Sequence, residues 1–202
     1  MIINWYGEGC FKIQVSDTVL LVDPFLSSVG LTPPRFKTDA VIETLTALPF
    51  EEKNFEARHI RGAGNYEVKG IGISGWTLAG ESDEKNLKTV YLIEAEEIRM
   101  CFLGNISAPD NSFFENLGEV DILFIPAGGK PFLSQEEAAK MIKQIGPKIV
   151  VPSFFKVPGL ARKAESVDAF LKEVEQKAEP QEKLVIKKKD LPAKMQVVAL
   201  KI

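Results

Sequence analysis

Short apolar runs dominate the first hundred positions of the chain. Ile2–Tyr6, Cys10–Val15 and Val19–Asp23 are separated by Gly7, Gly9 and the Ser16-Asp17 turn, and each predicts a strand. Leu26–Lys37 carries Pro33-Pro34, which can continue neither a helix nor a central strand, so it predicts a loop. Asp39–Thr44 has the β-branched, apolar character of a buried strand entering from a polar turn. Tyr66–Ser74, Thr89–Glu96 and Ile98–Leu103 predict further strands, with the polar segment 80–88 as an exposed loop between them.

From residue 107 the pattern changes to helices alternating with strands. Ser107–Asp110 opens a short helix that Gly118 stops, and Val120–Pro126 is a buried strand. Ser134-Gln-Glu-Glu137 has the form of a capping box and starts a helix ending near Gly146-Pro147. Ile149–Pro152 is a strand, and Ala164–Lys177 is an amphipathic helix with Val167, Phe170, Leu171 and Val174 on one face. Leu184–Lys187 and Gln196–Leu200 close the chain as strands. Two β-rich runs with helices interleaved late predict packed sheets with helices outside, in a single domain over 1–202.

Composition narrows the function. The 202 residues, 45% hydrophobic and 26% charged, suit one soluble globular domain. No run approaches the ~18 apolar residues that span a bilayer, and the start lacks the features of a signal peptide, so a cytoplasmic protein is expected. A net charge of −3 and one short basic run, Lys187–Lys189, point away from nucleic-acid and membrane partners. Cys10 and Cys101 each sit in an apolar run and read as buried reduced thiols, with a disulfide as the alternative if they are neighbours. The most informative count is one histidine, His59, which excludes any site built on several imidazoles. No C-x-x-C pair makes up the deficit. Ser153 and Cys10 have no recognisable histidine base, and G-x-S-x-G is absent. Gly70-Ile-Gly-Ile-Ser-Gly75 spells a dinucleotide fingerprint, but it lies in a strand-like run and opens no helix.

Several short signatures follow one another in order: Gly7-Glu-Gly-Cys-Phe11, Val22-Asp-Pro-Phe25, Asp39-Ala-Val-Ile-Glu-Thr44 and Cys101-Phe-Leu-Gly-Asn105. Pro126-Ala-Gly-Gly129 and Val151-Pro-Ser-Phe-Phe-Lys156 come next, at the tips of later strands. In number and order they resemble the metallo-β-lactamase superfamily, in its small bacterial zinc-dependent-hydrolase branch. The resemblance also covers Asn65–Gly70 and Lys188–Pro192, and so nearly the whole chain. It implies an αββα sandwich of two mixed sheets with outer helices, and a metal site at one edge between the sheets.

That site requires T-H-x-H-x-D-H at the end of the fourth strand. Carried over from Thr44, the ligand positions become Leu45, Ala47, Pro49 and Phe50, none of which can coordinate a cation. The bridging aspartate expected in L-G-D is Asn105, and the last histidine expected in P-x-H-[YF] is Phe154. Flanking family histidines are replaced by Glu8 and Phe102, and Thr77–Ser82 has no counterpart for a further one. Without metal charge a buried acidic cluster is costly, so asparagine at 105 is the substitution that electrostatics favours.

The resemblance therefore implies a vestigial site formed by Glu8, Asp23, Leu45, Ala47, Pro49, Phe50, Phe102, Asn105 and Phe154. Leu45, Phe50, Phe102 and Phe154 are expected to gather as an apolar plug where relatives hold metal. Asp23 is expected to bond backbone amides at the turn after the third strand, or to serve as a base; Glu8 either faces Asp23 or points to water. Glu8, Asp23, Asn105, Lys130 and Lys156 are candidate ligand contacts, and His59 lies outside every ligand position. No metal and no cofactor is expected. The reading is a hydrolase-like protein that acts by binding or regulation, with an unidentified ligand or protein partner. Alternatives are a residual hydrolase using Asp23, Glu8 and Asn105, with or without a hard cation, and a structural subunit of a homo- or hetero-oligomer.

Overall fold

The computed structural model describes residues 1–50, 57–108 and 112–202. The opening strands are β1 (Ile2–Trp5), β2 (Phe11–Val15), β3 (Thr18–Val22), β4 (Ala40–Glu43), β5 (Leu45–Ala47) and β6 (Arg58–Arg61). A hairpin of β7 (Gly64–Val68) and β8 (Ile71–Thr77) follows, then β9 (Asn86–Ala95) and β10 (Ile98–Phe102). A short helix, α1 (Phe114–Leu117), precedes β11 (Ile122–Pro126), α2 (Gln135–Ile145) and β12 (Ile149–Ser153). The chain ends with α3 (Val167–Glu173), β13 (Leu184–Val185) and β14 (Gln196–Val197).

These strands form two mixed sheets. One runs β13-β1-β2-β3-β4-β6, the other β14-β12-β11-β10-β9-β8-β7, with β5 also paired to β9. In both, antiparallel pairing gives way to parallel: β3, β4 and β6 run together, as do β10, β11, β12 and β14. The sheets face each other across an apolar core that includes Ile3, Phe11, Leu20, Ile42, Ile93, Phe102 and Phe124. A second apolar layer lies between the outer face of the β7–β14 sheet and the helices, where Met141, Ile142, Phe170 and Leu171 meet Leu123, Ile125 and Val150. The αββα sandwich is thus present in its sheets, but the described helices all pack on one sheet. Among the described residues no helix covers the outer face of the other.

Local signals set several boundaries. Ser134 and Glu137 form the full reciprocal capping box at the start of α2, and Gly146 closes it at φ 65°, where its N–H reaches Ile142 O. The helix expected over Ala164–Lys177 is shorter, starting after Ser166 and ending at Glu173, because the backbone turns left-handed at Glu175 (φ 53°). Of the helix expected from Ser107, Phe114–Leu117 is helical among the described residues, and residues 109–111 lie outside them. The Gly70–Gly75 run forms the β7–β8 turn and the start of β8, with no helix to receive a phosphate. Cys10 and Cys101 are both buried free thiols, and burial raises the pKa of each. No helix among the described residues is long and apolar enough to cross a membrane.

Candidate functional site

Four strand ends meet at one edge of the sandwich. The turn after β1 supplies Glu8 and Gly9, the end of β3 supplies Asp23, β10 leads to Gly104-Asn105, and β12 leads to Phe154. Two glycines allow the approach. A Cβ on Gly9 would lie 2.6 Å from the Phe154 ring and 3.1 Å from Asp23 Oδ2; one on Gly104 would lie 2.0 Å from Thr44 Oγ1. Glu8 (φ 50°), Asp23 (φ 43°) and Phe154 (φ 58°) all hold left-handed backbone. Such conformations persist only where surrounding structure over-determines them, and they cluster at sites.

The first cluster is centred on Thr44. Its backbone N–H donates to Asp23 Oδ1 at 2.6 Å and its hydroxyl donates to Asp23 Oδ2 at 2.5 Å. Asn105 Nδ2 in turn donates to Thr44 Oγ1 at 3.2 Å. Both Asp23 oxygens are therefore engaged, and the end of β4 is pinned to the end of β3. Burial pushes the Asp23 carboxyl up to about 7; the Thr44 bonds pull the other way, and the Glu43 charge adds to the rise.

The second cluster is centred on Arg162. Its Nε lies 2.8 and 3.0 Å from the two Glu8 carboxylate oxygens, and its Nη2 lies 2.8 Å from Oε2, a bidentate charge-assisted pair. Nη2 also donates to Phe154 O. The guanidinium sits over the rings of Phe132 and Phe154, 5.1 and 5.9 Å from their centroids, and those two rings pack 4.2 Å apart. Glu8 O accepts from Phe154 N at 3.1 Å and from Trp5 Nε1 at 2.8 Å, which fixes the β1 turn against the β12 tip.

Residues 2–153 match the protein family described as Beta-lactamase superfamily domain. The chain belongs to the metallo-β-lactamase superfamily. A "UPF0173 protein" of Pyrococcus furiosus is 27% identical over 179 residues, covering 77% of this chain and 83% of that protein. A "UPF0173 metal-dependent hydrolase" of Bacillus cereus is 24% identical over 195 residues, 77% and 86% of the two chains. Among solved structures, a Thermotoga maritima protein assigned by name to the zinc-dependent hydrolases of this superfamily superposes with a TM-score of 0.80 at 27% identity, covering 98% and 97% of the two chains. Igni18, a metallo hydrolase of Ignicoccus hospitalis, shares the fold alone at 18% identity and a TM-score of 0.68, covering 97% and 94%.

Within this metallo-β-lactamase fold the apolar plug does not form as expected. Phe154 does lie beside Asp23, and Phe102 is buried, but Phe102 stacks on Phe124 at 3.9 Å inside the inter-sheet core. Leu45 is 41% exposed and Phe50 50% exposed, and Ala47 and Pro49 are also exposed. For Leu45 and Ala47 the cause is the pairing of β5: with Leu45 opposite Lys88 and Thr46 opposite Leu87, strand alternation turns Thr46 inward and its neighbours outward. Glu8 neither faces Asp23 freely nor points to water, because Arg162 holds it. Lys130 and Lys156 are exposed, and the cation inside the cluster is Arg162 instead.

Sequence reading missed Arg162 because 154 positions separate it from Glu8. Its one signal is a lone arginine in a Pro- and Gly-punctuated segment, Val157–Arg162, just beyond a strand tip. His59 stands on β6 with Nδ1 2.8 Å from Glu43 Oε1, and Arg61 Nε lies 2.9 Å from Glu43 Oε2, so these three side chains share one face.

The residues at the superfamily's metal position do not fit a zinc ion. Among the described residues, no group of three or more His, Cys, Asp or Glu is placed to hold a metal. Asp23 is bonded through both oxygens to Thr44, Asn105 bonds a neutral hydroxyl, and the Phe154 ring fills the space against Gly9.

Proposed function

We propose that this metallo-β-lactamase-fold protein works without a metal and without hydrolysis, as a binding or regulatory member of a family of metal-dependent hydrolases. The observation that carries this reading is the commitment of the site's polar groups to one another. Asp23 accepts from Thr44 twice, Asn105 donates to the same threonine, and Glu8 is neutralised by Arg162. Metal hydrolysis needs an open coordination position and an activated water. Here the donors are replaced by Leu45, Ala47, Pro49 and Phe50, and the cation paired with Glu8 is a guanidinium that cannot lower the pKa of a bound water as zinc does.

The test is metal content together with stability. Protein purified without chelator should contain no stoichiometric zinc, manganese or iron. Adding Zn²⁺ or Mn²⁺ should leave Tm unchanged, since a ligand that binds only the folded state raises it. Saturable metal-stimulated turnover of a lactam, phosphodiester, thioester or lactone, lost in Asp23→Ala, would overturn the reading.

A second reading rests on Asp23 alone. A carboxyl titrating at about 7 is matched to general acid–base work at neutral pH. This residual hydrolase would show metal-independent turnover whose pH profile loses its limb near 7 in Asp23→Asn.

A further inference from the structure

Next to the Arg162 cluster, Trp5 and Phe155 pack with ring centroids 4.4 Å apart, and both line a cavity of about 360 Å³. Val157, Val167, Ala199 and Leu200 line it as well, and among the described residues Lys201 has the one charged side chain on its wall. Through Trp5, Pro158, Lys201 and Ile202 the cavity joins a wider groove of about 810 Å³, where Asn4, Tyr6, Thr32 and Glu182 add polar side chains. The volume falls in the range of roughly 300–1,000 Å³ typical of small-molecule sites. It also exceeds the dry cavities of about 150 Å³ that take up benzene in other proteins.

The lining selects a chemical class. An apolar body gains by covering the Trp5, Phe155, Val167 and Leu200 surfaces. At the mouth, Lys201 Nζ lies 3.8 Å from Glu182 Oε1, and the two side chains are 54% and 81% exposed. A pair so loose and so wet contributes little, so the ammonium remains available to another anion. We infer that this cavity binds a small amphiphilic carboxylate, with its acyl or aryl body against Trp5 and Phe155 and its carboxylate at Lys201. The inference rests on the binding reading in giving the protein a ligand. It does not depend on the metal position, so metal titration and ligand titration can fail separately.

The site carries its own reporter. Trp5 lines the cavity, and its Nε1 donates to Glu8 O, so an occupant changes the surroundings of an indole that is also bonded to the Glu8–Arg162 cluster. Decanoate titrated below its micelle concentration into a Trp76→Phe background should change Trp5 emission saturably and raise Tm. Lys201→Glu, a surface change, should weaken decanoate about fivefold or more while leaving decanol affinity unaltered. Val167→Trp, which fills the cavity, should abolish both responses while keeping a cooperative unfolding transition.

No saturable response to decanoate would overturn the proposal. Equal binding of decanoate in Lys201→Glu would overturn the carboxylate assignment, and a response that survives in folded Val167→Trp would place the ligand elsewhere. Should Val167→Trp fail to fold, the Lys201→Glu comparison of decanoate with decanol decides the matter by itself.

Discussion

Phe102 and Phe50 are two phenylalanines that the sequence resemblance sets against histidine positions, yet their surroundings are opposite. Phe102 is 2% exposed, stacked on Phe124 and set edge-on to Phe11, and it is part of the seal between the sheets. Phe50 is 50% exposed, three residues beyond β5, the short strand that leaves β4 and pairs with β9. One of the two side chains is thus part of the core and the other lies on the surface. Residue type alone does not say whether such a position packs in the core; the strand that carries it does.

The largest expected effect sharpens that contrast. Phe102→Ala should cost about 3–5 kcal/mol in urea unfolding, the usual range for a buried aromatic truncated to alanine. A cost near zero would mean that Phe102 and Phe50 are equivalent after all. Next comes the charged half of the site. Glu8→Gln leaves Arg162 facing a neutral amide, and unfolding should be easier by about 2–3 kcal/mol, below the 3–5 of a fully buried broken pair because Arg162 is 24% exposed. If Arg162→Met restores most of that loss in the Glu8→Gln background, the penalty lies in the stranded guanidinium.

The third effect is a pH dependence. Folding raises the Asp23 pKa to about 7 from an unfolded value near ~3.9, so between those values the folded chain binds the extra proton. The stabilisation from this group is full below about pH 4 and is lost as pH rises through about 7. Urea midpoints should therefore fall from pH 5 to pH 8 by more in the wild type than in Asp23→Asn. Equal slopes in the two proteins would mean that Asp23 does not titrate in this window. The smallest effect completes the contrast: Phe50→Ala should change stability by less than ~0.5 kcal/mol, as exposed substitutions do. A cost comparable to that of Phe102→Ala would show Phe50 covered in solution.

Much of the architecture was legible because its signals are local. The capping box at Ser134–Glu137, the glycine stop at 146 and the alternating or continuous apolar strands all depend on neighbours within a few positions. The arrangement at Asp23 was less legible. A carboxylate bonding backbone amides at its own turn was expected, whereas it accepts from the amide and hydroxyl of Thr44 at the end of β4, with Asn105 behind, and that depends on three strands coming to one point. The fate of Leu45, Ala47, Pro49 and Phe50 was misread. A continuous apolar segment after a buried strand suggests more core, whereas β5 leaves the first sheet to pair with β9, and alternation then faces Leu45 and Ala47 outward.

The sequence by itself determined the two β-rich blocks, the family and the presence of a single histidine, because side-chain chemistry belongs to each residue wherever the chain takes it. Only the tertiary structure decided that Arg162 would neutralise Glu8, that Phe102 would join the core while Phe50 stayed outside, and that Trp5, Phe155, Val167 and Lys201 would enclose one cavity. Each of those outcomes depends on which distant segments close on one another, and that closure is set by the pairing of whole strands, where a one-residue change in register reverses which side chains face the core.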